Sequence, residues 1–123
     1  MLALAEMSLG ARVSVLVGSK ASQETIDEVS HVVRATNPRG FMHGVKLGLA
    51  DGYSPEEVAP KLAMPVLMIQ GSEDRVNPTD KNAAVLVKVL PQARLEIVDG
   101  AGHLPEVEAP DAVNRMLREF FLE

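Results

Sequence analysis

The stretch "PVLMIQGSEDRVNP", residues 65–78, decides how the chain folds. It opens with an apolar run rich in Val, Leu and Ile that has no strict polar alternation, the pattern of a strand buried on both faces of a parallel sheet. Gly71 ends the run, and a polar turn carrying Ser72, Glu73 and Asp74 follows. Downstream, "TDKNAAVLVKVL" (79–90) places Ala83, Leu86, Val87 and Leu90 on one helical stripe, with Pro78 near its first turn and Asn77 as its cap. A second short run, "RLEIV" (94–98), then leads into "DGAGHLP" (99–105). Strand, helix and strand in this order call for parallel pairing through a right-handed crossover.

Working outward, "RVSVLVG" (12–18) reads as a further strand ended by Gly18. "SQETIDEVSHVVRA" (22–35) spaces Ile26, Val29, Val32 and Val33 for a helix with Ser22 as N-cap. "SPEEVAPKL" (54–62) reads as a short helical turn, and "PDAVNRMLREFF" (110–121) puts Val113, Met116, Leu117, Phe120 and Phe121 on one helix face behind an opening proline. The expected fold class is therefore α/β, a three-stranded parallel sheet with flanking helices, in which ligands sit beyond the carboxyl ends of the strands. Gly40, Gly44, Gly48 and Gly52 recur every fourth residue, which reads as a close-packing face or lid element, or as glycines that loosen a helix.

Composition bounds the function. A chain of 123 residues fits one modest domain, and 46% hydrophobic with 24% charged residues is a globular balance. Twelve basic against seventeen acidic residues give a net charge of −5 with no basic stripe, so no nucleic-acid partner is expected. The longest mostly apolar run, 62–69, is too short to span a bilayer, and the N-terminal "MLALAEMSLG" lacks a basic region ahead of its apolar part, so no membrane partner is expected and a cytoplasmic setting is. With no cysteine there are neither disulfides nor thiolate metal sites. No metal or cofactor is expected; the absence of G-x-G-x-x-G and G-x-x-x-x-G-K-[ST] weakens a nucleotide- or phosphate-binding reading.

Two residues carry chemistry. Asp74 lies three residues beyond Gly71, and His103 five beyond the second run. Adjacent parallel strands run about 5 Å apart, so both loops open at one sheet edge. There an aspartate can fix the tautomer of an imidazole and leave its other nitrogen as a general base. Of the remaining ionisable groups, Glu73 reads as a solvated neighbour, and Glu106 and Glu108 as acids at a helix entry. His31, on a helix, and His43, in the glycine-rich stretch, have no recognisable partner.

"PVLMIQGSEDRVNP" followed by "LPQARLEIVDGAGHLPEVEAPDAVNRMLREFF" resembles the C-terminal part of an α/β-hydrolase-fold enzyme. In that family a proline-led strand ends in G-x-x-D, which supplies the triad acid, and G-x-G-H supplies the histidine. The resemblance is close from Ala59 onward and looser upstream, where "ARVSVLVGS" (11–19) resembles the strand after the nucleophile-bearing helix. It implies Asp74 as the acid and His103 as the base, acting on a small-molecule ester, lactone or related bond. It also implies one partial domain over 1–123: the end of the nucleophile helix and the following strand (1–18), a short lid-like helical segment (19–64), and the acid and histidine strand–helix units (65–123).

The family's nucleophile sits in a G-x-S-x-G elbow, which this sequence lacks. "EMSLG" (6–10) comes nearest, but it sets Glu6 where a small residue is needed and leaves no room for a nucleophile helix before 12–18, so Ser8 is not assigned as nucleophile. Ser19 and Ser72 are no better supported. The expectation is a fragment of a hydrolase carrying acid and base, with no nucleophile and no activity alone. The alternative is a non-catalytic half-domain that folds by self-association or by pairing with another chain through an exposed strand edge.

Overall fold

The structure, a computed structural model, describes residues 7–48, 57, 59–90 and 92–122. Two strands form the sheet among these residues. β1 (Val66–Gly71) and β2 (Ala93–Val98) pair in parallel, in a register running from Val66 opposite Ala93 to Gly71 opposite Val98. The connection between them holds a 3-10 turn (Thr79–Lys81) and a helix (Ala83–Val89), so the crossover read from the sequence is present. Its start differs: Pro78, not Asn77, precedes the 3-10 turn, and no side chain caps it.

The stretch 12–18 is not a strand. Leu9–Leu16 is helix α1, capped by Ser8, whose hydroxyl accepts the Ala11 N–H at 3.3 Å. A short apolar run does not distinguish a strand from a buried helix, and here tertiary packing decides. Val13 and Val17, four residues apart, are both buried and meet Val29 of α2 (Gln23–Ala35), with Leu9, Leu16, Ile26 and Val33 around them. A strand would set Val13, Val15 and Val17 on one face, yet Val15 is only half-buried. Among the described residues the sheet accordingly has two strands where three were expected.

Ser22 caps α2 as anticipated, accepting the Thr25 N–H at 3.1 Å. Pro38–Gly48 forms α3. Gly40 and Gly44 do not make a close-packing face: an added Cβ at Gly44 meets nothing within 4 Å, and one at Gly40 would meet only the Asn37 Cβ at 3.9 Å. Gly52 and residues 54–56 and 58 lie outside the described residues, and Ala59–Lys61 forms a 3-10 turn. With the crossover helix Ala83–Val89 as α4, the chain ends in α5 (Pro105–Glu108) and α6 (Pro110–Leu122). α6 packs Val113, Met116 and Leu117 against Val98, Ala101 and Ile69, forming the second core cluster. No helix among the described residues is long and apolar enough to cross a membrane.

Candidate functional site: an aspartate–histidine pair beyond the strands

The loops leaving β1 and β2 are bound to each other backbone to backbone. The Ser72 N–H donates to the Val98 carbonyl at 3.0 Å and the Glu73 N–H to the Ala101 carbonyl at 2.8 Å, so the pairing continues past the strands. Only glycine permits this approach at position 71, because a Cβ there would lie 2.6 Å from the Ala101 carbonyl carbon. Gly100 turns the second loop with φ at 75°, and its N–H donates to the Ser72 hydroxyl at 2.8 Å.

This frame brings Asp74 and His103 together: Nδ1 of His103 lies 3.0 Å from Oδ2 of Asp74. The Asp74 side chain is 6% exposed and the His103 side chain 30%. Oδ1 of Asp74 accepts the Val76 N–H at 2.9 Å and the Asn77 N–H at 2.8 Å, a local side-chain turn that fixes the carboxylate's rotamer. Oδ2 also accepts from the Gln70 amide at 3.2 Å, and that amide donates as well to the Asn77 carbonyl. A buried carboxylate needs such partners to be tolerated. Among the described residues nothing hydrogen-bonds the other ring nitrogen, Nε2. The ring borders a cavity of about 340 Å³, lined also by Gln70, Asp74, Asn82, Ala83 and Leu86.

Other residues take roles the sequence did not reveal. Gln70, inside an apolar run, is buried and braces Asp74. Glu73 is not merely solvated: its carboxylate accepts the Ser19 N–H at 2.8 Å and the Ser19 hydroxyl at 2.5 Å. Those bonds, with a smaller contribution from Arg75, hold its pKa below the ordinary value, against partial desolvation and the charge of Asp99. Glu108 closes α5 and accepts three backbone N–H groups. Lys20 pairs with Asp99, which raises the lysine's pKa. His31 and His43 are exposed on α2 and α3. Of the serines considered as nucleophile, Ser8 caps α1, Ser19 is bound to Glu73, and Ser72 accepts from Gly100.

The arrangement can hold an imidazole in one orientation by a buried carboxylate beside an open cavity. Comparison with known proteins places it in a class. By fold the chain corresponds to the C-terminal part of α/β-hydrolase-fold proteins. It is 32% identical over 108 residues to a Synechocystis protein described as "Putative non-heme chloroperoxidase", covering 88% of this chain and 38% of that protein. Human Protein ABHD8 is 32% identical over 62 residues, 50% of this chain and 14% of its own length. Among solved structures, a thermophilic esterase from Thermogutta terrifontis superposes with a TM-score of 0.79 at 23% identity, over 92% of this chain and 42% of that one. A bromoperoxidase from Bacillus anthracis gives 0.78 at 15% identity, over 98% and 44%. These two likenesses show the fold alone. The chain thus spans well under half the length of the relatives it matches. No family model matches it.

Proposed function

We propose that the chain supplies the acid and the base of a serine-hydrolase triad acting on a carboxylic ester, lactone or related small-molecule bond, with the nucleophile contributed from outside these 123 residues. The observation that carries this reading is the 3.0 Å contact between Nδ1 of His103 and a nearly buried Asp74, with Nε2 unbonded among the described residues. In the reaction, Asp74 accepts the Nδ1 proton's hydrogen bond and stabilises the imidazolium. Nε2 takes the proton of an attacking hydroxyl and returns it to the leaving alkoxide as the acyl–oxygen bond breaks. One neighbour of the same fold is described as an esterase, so an ester is the bond chosen for the test.

A second reading, a half-domain that pairs through a strand edge, is favoured by one observation: β1 is bonded to β2 on one side only among the described residues. In this reading the edge takes a strand from a nucleophile-bearing segment or from a second copy.

Hydrolysis of a short-chain p-nitrophenyl ester separates the outcomes. The 123-residue chain alone is expected to match its Asp74→Asn, His103→Ala double variant. Supplying a strand–G-x-S-x-G–helix segment, in cis from any upstream reading frame or in trans, is expected to yield activity that both substitutions abolish. Activity of the chain alone that disappears with Ser8→Ala would overturn the assignment of the nucleophile to another segment. Sedimentation as a stable monomer at micromolar concentration would count against pairing.

A further inference from the structure

Glu108 lies five residues beyond His103, yet its carboxylate engages the backbone on both sides of the histidine. Oε1 accepts the Gly102 N–H at 2.8 Å and, more weakly, the Leu104 N–H at 3.4 Å. Oε2 reaches across to the Gly18 N–H at 2.6 Å, just past the end of α1. Between them the His103 N–H donates to the Leu16 carbonyl at 2.7 Å. The peptide groups around the histidine are thus tied to the segment leaving α1, and one carboxylate joins the two.

The two glycines make the joint possible. A Cβ at Gly18 would lie 2.6 Å from the Ala101 carbonyl carbon, and one at Gly102 would lie 2.6 Å from the Leu16 carbonyl oxygen. Their missing side chains let the segments touch, which brings both N–H groups within reach of one side chain. A carboxylate suits this place because both of its oxygens accept; a glutamine would turn an N–H group toward one of the donors. Charge-assisted bonds to backbone N–H groups are also stronger than neutral ones.

We infer that Glu108 is a positioning residue for His103: it locks the histidine's backbone to the end of α1 so that Nδ1 meets Asp74. The functional meaning rests on the acid–base reading above, whereas the geometry is measurable without turnover. In Glu108→Gln, NMR is expected to show the His103 Nδ1–H exchanging with water on the order of tenfold faster, with far-UV circular dichroism unchanged. Glu106→Gln, which alters the exposed carboxylate on the same helix, should leave that exchange unchanged. An unaltered Nδ1–H in a folded Glu108→Gln protein would overturn the inference. If that variant does not fold, the unsubstituted protein decides. Its Gly18 and Gly102 amides, both bonded to the Glu108 carboxylate, should both be protected from exchange with water at neutral pH. Free exchange of either amide at neutral pH would overturn the inference as well. A correctly held His103 in a protein that never hydrolyses an ester, even with a nucleophile supplied, would instead count against the hydrolase reading.

Discussion

The strand–loop unit from Val66 to Glu108 and the helical layer from Leu9 to Gly48 are held by different means. In the first, backbone meets backbone: loop N–H groups continue the sheet, and Gly71 sits where no side chain fits. In the second, α1 and α2 share a small valine core, and α3 carries Gly44 in open space. The layer is fastened over the loops by Leu104 and Val107, which pack against that valine core, and by polar bonds: Arg75 to the Ser14 carbonyl, the His103 N–H to Leu16, Glu108 to Gly18 and Glu73 to Ser19. The difference teaches that the acid–histidine pair is built by the strand unit and that the helical layer is attached to it.

Glycine substitutions test that contrast most strongly. Gly71→Ala should destabilise the fold by about 3 kcal/mol, the upper end of overpacking costs, because the clash is with backbone that cannot turn aside. Gly44→Ala should do the opposite and stabilise by roughly 0.5–1 kcal/mol through helix propensity. Chemical denaturation of both variants would break the comparison if they shifted stability alike.

Next in size, Asp74→Ala strands the Val76 and Asn77 N–H groups and should cost about 2 kcal/mol in the same measurement, with Asp74→Asn costing less. Ser22→Ala removes the α2 cap and should cost about 1 kcal/mol. The smallest effect concerns attachment of the helical layer. Because Glu73 is held below its ordinary pKa, chiefly by Ser19, its bonds stabilise the fold fully above pH of about 4.5 and are lost as pH falls through the lower folded-state value. The Arg75 charge adds to this shift, and partial desolvation and the Asp99 charge oppose it. Amide exchange at Ser19 should therefore quicken in acid before exchange within β1 does, and equal onset in both regions would blur the distinction.

The sequence reads unevenly for the same reason. β1, β2, the crossover and the places of Asp74 and His103 were legible because the pattern that makes them is local: apolar run, glycine, polar turn. α1 was not. "RVSVLVG" has a strand's composition, and contact with Val29 and Ile26 of the next helix and with Leu104 and Val107, far along the chain, selects the helix. The Ser8 cap is a usable signal, hidden because the same serine stands at the centre of the elbow-like "EMSLG". Gln70 and Glu108 were illegible in kind: Gln70 sits inside an apolar run and bonds the loop that follows it, and Glu108 bonds backbone N–H groups, one of them at distant Gly18, which sequence patterns do not expose. The regular spacing of Gly40 and Gly44 was legible but did not signify close packing.

The central claim is that Asp74 holds His103 as a base with Nε2 free. The most direct test is nitrogen-15 NMR of the His103 ring at neutral pH. The expected result is a proton on Nδ1, none on Nε2, and loss of this preference in Asp74→Asn. A proton resident on Nε2, or a tautomer unchanged by Asp74→Asn, would contradict it.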